Sequence, residues 1–421
     1  IGSGLVGSEM CIRDRYNIQK KKTDFTFFYE GSVYMKLLRL QVSGLSLFKD
    51  DLDIMFYGTQ NISIEDKETM YPLFSNIYLN CATVFIGKNA SGKTTILQVL
   101  SLALHLLNNE PINHLKEKYV LRESEKVTMN IYFYSNQGDI YCLKSVIKTE
   151  ISDNNDVLCK IVDEKLWKKP QKSVSSKKML TDFQNIEPIQ IRSGNEIYLM
   201  EDVSMMIAHN KKNKENITIS NFLSYTNIHT LSSIKDIPSE IITFLDPTVE
   251  RLYFEQSGNK TLIHLKFKHK EEILLNSVTE LEFYLSSGTI KGVMTFVHAR
   301  NILTKGGYLL IDELENHFNK EIVSTIVRLF MDKNFNKKGA VLVYTTHYPE
   351  LLDEYNRNDS IYITENKEGL CVTNLSKLLD RNDIKKSDVY QSGMIAQTTP
   401  EYEAYMHMKK YMFNYISSKE M

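Results

Sequence analysis

The sequence lacks the features of a secreted or membrane-spanning protein. No apolar run in its 421 residues approaches the roughly 20 residues needed to cross a bilayer. The N-terminus has none of the basic, apolar and small-residue regions of a signal peptide. The five cysteines are scattered, without a CxxC pair or a neighbouring histidine at the spacing of metal ligands. We therefore predict a cytoplasmic protein without a membrane span.

An excess of charge of either sign is also missing. With 51 basic and 52 acidic residues the formal net charge is −1, so no global field draws the chain to nucleic acid or to an anionic membrane. Two segments, 168–178 and 209–214, are basic and poor in apolar residues. We interpret both as exposed loops, with a local nucleic-acid contact as the less favoured alternative. An internal repeat and a sustained heptad pattern are absent as well.

Residues 1–34 are predicted to be a non-native or disordered leader. The run from Gly4 to Arg15 looks like a translated sequencing adaptor, and residues 16–34 carry no clear periodicity. The run that begins at Met35 reads like an opening strand, so we expect the native chain to begin there. A genuine but disordered segment over 16–34 is the alternative.

The remainder alternates strand and helix patterns, which predicts an α/β fold. Strands are predicted over 35–42, 52–56, 82–86, 128–134, 140–147, 261–268, 308–311 and 340–345, and helices over 93–107, 289–303 and 320–331. Such alternation implies a mainly parallel sheet flanked by helices.

The less regular middle of the chain suggests a discontinuous core. We predict 35–150 as its N-terminal half, 151–250 as an inserted α+β subdomain, 251–360 as its C-terminal half and 361–421 as an extension. In that extension, Tyr402, Tyr405, Met412 and Ile416 fall near helical spacing. Such a stripe more often packs in a core than binds a partner, so we favour the core interpretation.

A glycine-rich segment after the predicted strand 82–86 matches the P-loop pattern GxxxxGK[ST]. Its glycines let the backbone wrap around a phosphate, and the helix that begins near Lys93 directs its positive end at that anion. Lys93 is expected to bridge the β- and γ-phosphates of ATP, and the Thr94 hydroxyl to bind Mg²⁺. The residues predicted to bind the nucleotide are Gly87, Lys88, Asn89, Ala90, Ser91, Gly92, Lys93, Thr94 and Thr95.

Two acids follow the apolar run 308–311, which is the Walker B pattern. Ligands of α/β sheets bind at the C-terminal ends of the strands. Asp312 is therefore expected to hold the Mg²⁺ shell. Glu313 is expected to be the general base, because hydrolysis needs a carboxylate that polarises water without occupying the metal site.

The segment Leu285–Thr289, which reads LSSGT, leads into the predicted helix 289–303. Together with the P-loop and Walker B, in this order and spacing, it resembles the LSGGQ signature motif of the ABC ATPase superfamily. The resemblance implies that Ser286, Ser287, Gly288 and Thr289 contact the γ-phosphate held by the P-loop of a second subunit. It therefore implies a homodimer that closes face to face around two ATP molecules. The segment departs from LSGGQ in having Ser287 and Thr289 in place of glycine and glutamine. This form of the motif resembles that of RecF-like and overcoming-lysogenization-defect ATPases.

A histidine follows the predicted strand 340–345 and resembles the switch histidine of the same superfamily. The resemblance implies that His347 hydrogen-bonds the γ-phosphate or the attacking water; a structural histidine is the alternative. The predicted catalytic residues are thus Lys93, Glu313 and His347. Residues 316–319 occupy the position of the D-loop but are too loose a match for assigning individual roles.

These motifs are compatible with three functions. The first is a stand-alone ABC-type ATPase, similar to those of anti-phage defence systems, that switches a separately encoded effector. The second is a RecF-like repair head, which leaves DNA or RNA open as a partner, and the third is a transporter subunit. The long stretch between Lys93 and Gly288 argues against a transporter, and the missing heptads argue against a long coiled-coil chromosome protein. The segment after His347 has no acidic DxD cluster, which argues against a built-in Toprim nuclease.

Overall fold

The computed structural model describes residues 35–135, 137–193, 196, 198–223, 237–257, 260–316, 318–395 and 402–417. The predicted leader over 1–34 lies outside these residues, as does His317 in the D-loop position. Within the described residues, no helix combines the length and the apolar character needed to cross a membrane.

Two six-stranded sheets form the frame of the protein, and the first is antiparallel throughout. Its strand order is β2-β1-β6-β7-β8-β9. The strands are β1 Met35–Ser43, β2 Leu52–Met55, β6 Lys126–Ser135, β7 Asp139–Ile151, β8 Val157–Pro170 and β9 Gln190–Arg192. Four of its strands, β1, β2, β6 and β7, were predicted, but the alternation of strands and helices did not predict that they form a separate antiparallel sheet.

The second sheet has the order β10-β14-β15-β5-β16-β17, and its pairs are parallel except for the last, β16-β17. Its strands are β5 Ala82–Ile86, β10 Ile219–Phe222, β14 Tyr308–Ile311, β15 Val341–Thr346, β16 Ile361–Asn366 and β17 Leu370–Asn374. Both faces of this sheet are covered, which is why strands such as β14 read as continuous apolar runs.

The remaining strands of the described residues form two smaller sheets. One is a two-stranded antiparallel hairpin of β3 Met70–Phe74 and β4 Ile77–Asn80. The other is an antiparallel sheet of β11 Val249–Ser257, β12 Lys260–Phe267 and β13 Glu272–Leu275. Its core continues into the start of the helix at Ser287, because Ile290, Val293 and Met294 pack with it.

Seven α-helices are described. They are α1 Lys93–Leu107, α2 Met206–Asn213, α3 Ser239–Leu245, α4 Ser287–Lys305, α5 Lys320–Met331, α6 Lys386–Gln391 and α7 Tyr402–Ser417. The apolar side chains of α1 pack with the first sheet and with one face of the second, including Tyr308 and Leu310. Side chains of α4 and α5 cover the opposite face, where Leu309 and Ile311 lie. Helix α1 therefore lies between the first and the second sheet, and helices α4 and α5 cover the other face of the second sheet.

Residues 151–250, expected to be an inserted subdomain, are distributed over both large sheets. Strands β8 and β9 extend the first sheet, and β10 pairs in parallel with β14 of the second. The strands of this stretch are therefore continuous with the two large sheets, because backbone pairing fixes them there.

The interpretation of the basic segments as exposed loops holds for most of residues 171–178, whose side chains are largely exposed, but is wrong for residues 168–170 and 209–213. Residues 168–170 end strand β8, where Lys169 is buried and donates to the carbonyls of Met179 and Asp182. Residues 209–213 belong to helix α2, and His209 is buried there beside Glu215, with 2.9 Å between Nε2 and Oε2. In both places a polar residue is buried because specific partners satisfy it.

Three residues of the C-terminal stripe are exposed, which contradicts the core interpretation; the side chain of Tyr402 lies outside the described part of the chain. Tyr405, Met412 and Ile416 of helix α7 are each about half exposed. Phe413 is 71% exposed. The large apolar side chains that the structure describes in this helix thus face solvent in the single chain.

Candidate nucleotide site

The P-loop is shaped by two residues in the left-handed backbone region. Strand β5 delivers the loop and α1 begins at Lys93. Ala90 has φ +60° and Gly92 has φ +87°. At Gly92 a methyl group would also lie 2.5 Å from the Leu370 side chain. Successive amides in such conformations form a concave surface that suits an anion.

The neighbouring strand β16 holds both ends of the loop through Thr364. A methyl group at Gly87 would lie 2.3 Å from the Thr364 carbonyl oxygen, so only glycine fits. The Ser91 and Thr364 hydroxyl oxygens lie 2.6 Å apart. Thr364 Oγ1 also donates to the Ile86 carbonyl at 3.2 Å. Sequence reasoning missed Thr364, because no local signal shows which strand lies beside the P-loop.

The Lys93 side chain lies along the loop. Its Nζ donates to the carbonyls of Gly87 and Lys88, each at 2.9 Å, and lies 3.5 Å from His347 Nδ1. Burial lowers the pKa of Lys93 from its ordinary value, and the nearby carboxylates, led by Glu313, oppose that shift. The ammonium is thus a buried positive charge at the mouth of a concave anion site.

Asp312 joins three elements at the ends of the parallel strands. Its Oδ2 accepts from Thr94 Oγ1 at 2.6 Å, and its Oδ1 accepts from Thr345 Oγ1 at 2.6 Å. Thr345 Oγ1 in turn accepts from the Glu313 amide at 2.7 Å. The parallel register of Ile311 with Tyr344 sets Thr345 beside Asp312. This role for Thr345 was also missed, although a hydroxyl at the end of the strand next to Walker B is the signal that indicates it.

Glu313 adopts a backbone conformation that is rare outside glycine, with φ +48°. Its side chain is 47% exposed, and Oε1 lies 3.5 Å from His347 Nε2. The turn is closed by the Asn316 amide, which donates to the Glu313 carbonyl at 2.9 Å. A strained residue of this kind persists where its surroundings over-determine it, and such residues cluster at functional sites.

His347 stands between the P-loop lysine and the Walker B acid. Its two ring nitrogens each lie 3.5 Å from one of these groups, Lys93 Nζ and Glu313 Oε1. Its backbone amide donates to Glu315 Oε1 at 2.5 Å. Glu315 is buried, and the sequence did not single it out. The backbone of His347 is therefore anchored by the Glu315 carboxylate.

The signature-like segment forms the N-terminus of helix α4. Ser286 Oγ accepts from the Thr289 amide at 3.0 Å and lies 2.9 Å from Thr289 Oγ1, which makes it the helix cap. Ser286 and Ser287 are exposed, Gly288 is partly exposed and Thr289 is buried. The helix thus offers two exposed serines at its positive end.

The structure brings five of the predicted residues into one cluster, namely Lys93, Thr94, Asp312, Glu313 and His347. The loop residues Asn89 and Ala90 are exposed at its top, and Lys88 and Thr95 are partly exposed. Ser286–Thr289 belong to a separate helix end. The single chain therefore contains a P-loop lysine, a hydroxyl–carboxylate pair and a glutamate–histidine pair side by side.

Comparison with known families places this cluster in context. The family model described as "AAA domain, putative AbiEii toxin, Type IV TA system" matches residues 82–353. The match begins at strand β5 and extends beyond His347, so it spans every residue of the cluster. A comparison with curated proteins found no match. Since the matched segment is more than half of the 421 residues, the chain belongs to this family of AAA domains, whose fold is the α/β fold of P-loop ATPases.

Proposed function

We propose that the chain binds and hydrolyses ATP as an ABC-type ATPase whose two copies close face to face around two nucleotides. The observation that carries the proposal is the Asp312 carboxylate, which joins the P-loop helix at Thr94 to strand β15 at Thr345. That link sets Glu313 and His347 beside the phosphate end of the P-loop. A chance match to the P-loop pattern would not be expected to lie beside an acid with a strained backbone and a histidine.

The residues present fit Mg²⁺. Thr94 and Asp312 offer a hydroxyl and a carboxylate 2.6 Å apart, and hard oxygen donors of this kind suit Mg²⁺ with phosphate and water as further ligands. When bound, Mg²⁺ offsets the negative charge on the phosphate oxygens.

Each of the clustered side chains has a distinct task in hydrolysis. The loop amides and the Lys93 ammonium hold the phosphates, with the ammonium exchanging its carbonyl partners for phosphate oxygens. The half-exposed Glu313 carboxylate accepts a proton from the attacking water. His347, 3.5 Å from that carboxylate, orients the water or the γ-phosphate. Ser286 and Ser287 of a second copy complete the site with their helix N-terminus.

The biological role we propose is a nucleotide switch for a separately encoded effector in phage defence. The description of the family names a toxin of a type IV toxin–antitoxin system, which supports a chain that works with a partner. Lys169 and His209 of the two basic segments are buried and have protein partners, so these two residues do not support the DNA-binding alternative.

The proposal is tested by the mass of the Glu313→Gln variant in ATP. If hydrolysis reopens the dimer, slowing it with this isosteric change should trap the closed form at saturating ATP and Mg²⁺. Light scattering should then give twice the monomer mass, and the wild-type protein in ADP should give the monomer mass. A variant that stays monomeric in saturating ATP would contradict the face-to-face mechanism.

Thr345 allows a matched test of the Asp312 link. We expect Thr345→Val to lower kcat about tenfold, because valine keeps the shape but leaves Asp312 Oδ1 and the Glu313 amide without their shared hydroxyl. Thr345→Ser keeps the hydroxyl and should stay within about threefold of wild type. Steady-state ATP hydrolysis measures both, and equal rates for the two variants would argue against the link.

A further inference from the structure

Lys291 lies on helix α4, a little more than one turn beyond the cap residue Ser286. It is partly buried, although lysine is ordinarily exposed. Its Nζ donates to the Asn316 carbonyl at 3.1 Å and lies 5.7 Å from the centre of the Phe318 ring. The side chain therefore crosses from the signature-like helix to the segment that follows Walker B.

Asn316 is the residue that closes the Glu313 turn. Its amide donates to the Glu313 carbonyl at 2.9 Å, and its Nδ2 lies 3.5 Å from Glu313 Oε2. Glu313 has a positive φ, so its conformation depends on the groups that hold the turn. Fixing the Asn316 carbonyl from outside the turn is one such restraint.

The charges around Lys291 suit this position. Burial lowers the pKa of Lys291, and the carboxylates of Glu313, Glu315 and Asp312 oppose the shift. Glu315 is buried, and its Oε2 has no hydrogen-bond partner among the described residues. A cation here offsets three negative charges in a partly desolvated place, which an apolar side chain would not do.

We propose that Lys291 is a positioning residue for hydrolysis, which holds the Glu313 turn in its active geometry through Asn316. The inference rests on the proposed function, because it assumes that Glu313 is the general base. Lys291 acts from the same helix whose capped end is proposed to meet the nucleotide of the second copy. When the two copies close and this helix moves, the contact between Lys291 and Asn316 transmits the movement to Glu313 of the same chain.

The test compares Lys291→Met with Lys291→Arg in steady-state ATP hydrolysis. Methionine keeps the length and loses the cation; it should lower kcat at least about tenfold while KM stays within about twofold, because misplacing a catalytic group weakens the chemical step more than binding. Arginine keeps the charge and the donor and should remain within about threefold of wild type. Arg300→Met, an exposed change on the same helix, should leave the rate unchanged.

The decisive comparison is made in the Glu313→Gln background under single-turnover conditions. If Lys291 acts through Glu313, adding Lys291→Met should slow this variant by less than about twofold, because effects of residues that act as a unit are not additive. Thermal melting checks that each variant folds, and Lys291→Gln replaces Lys291→Met if the latter does not.

Three results would overturn the inference: a wild-type rate for Lys291→Met, an arginine variant as slow as the methionine variant, or a full further loss in the Glu313→Gln background. A wild-type rate for Glu313→Gln alone would overturn the proposed function itself. A slow Glu313→Gln with a fast Lys291→Met would overturn only the role of Lys291.

Discussion

Replacing Glu313 with glutamine is expected to lower the kcat of ATP hydrolysis by about a thousandfold, within the range typical of a lost general base. The amide has nearly the shape of the carboxylate but cannot take a proton from water. The backbone contacts of the turn, from the Glu313 amide to Thr345 and from the Asn316 amide to the Glu313 carbonyl, do not involve the changed group. ATP affinity should therefore stay within about threefold of wild type.

This result is measured by phosphate release at saturating ATP, together with direct titration of ATP binding. Glu271→Gln is a matched control, since it makes the same chemical change at an exposed residue of the β12-β13 turn. The control should hydrolyse ATP at the wild-type rate. A Glu313→Gln variant that loses less than about tenfold would show that another group accepts the proton.

Replacing Lys93 with methionine is expected to remove both tight ATP binding and hydrolysis. The ammonium lies among Asp312, Glu313 and Glu315, whose carboxylates raise its pKa against the effect of burial. Without it Lys291 still faces these acids, but their charge is less compensated next to the triphosphate. Binding should therefore lose the charge-assisted hydrogen bonds of Lys93 and gain repulsion. We expect ATP affinity to fall about a hundredfold or more, which corresponds to about 2.7 kcal/mol.

The measurement is the ATP-induced rise in melting temperature, since a ligand that binds only the folded protein stabilises it by mass action. Wild type in excess ATP and Mg²⁺ should melt several degrees higher than without them, and Lys93→Met should show no such rise. Comparing each protein with itself removes the effect of losing the Lys93 contacts with the loop carbonyls. Lys116→Met, at an exposed lysine, should keep the full rise. An undiminished rise in Lys93→Met would contradict the assignment of the P-loop.

The parts of the site that could be predicted are those written in a short stretch of sequence. The strand, the glycine-rich loop and the helix follow one another directly along the chain around Lys93. The apolar run before Asp312 predicts a strand that is covered on both faces. Thr345, Thr364 and Lys291 act across strand pairs or from another helix. Their roles depend on which strands are neighbours, and periodicity does not specify that.

Strand β8 of the first sheet was missed because buried polar residues obscure its alternation. Strand β8 contains Glu164, which is fully buried and accepts from the hydroxyls of Ser145 and Ser204 and from the Met205 amide. Lys169, in the same strand, is buried and donates hydrogen bonds to two backbone carbonyls. Its Nζ lies 4.0 Å from the centre of the Phe183 ring. A pattern of apolar and polar letters assigns such residues to the surface, so the strand reads as a loop.

The strand order of the second sheet also determines when the nucleotide site can form during synthesis. The antiparallel sheet uses only residues from Met35 to Arg192, so its hairpins can pair early as the chain leaves the ribosome. Strand β5 has β15 on one side and β16 on the other, with Ala82 paired to Leu342 and Val84 to Ile361. The P-loop strand therefore lacks both of its neighbouring strands until residues 341–366 have been made. Nascent chains that stop before β15 should therefore be unable to bind ATP and be the ones most in need of a chaperone.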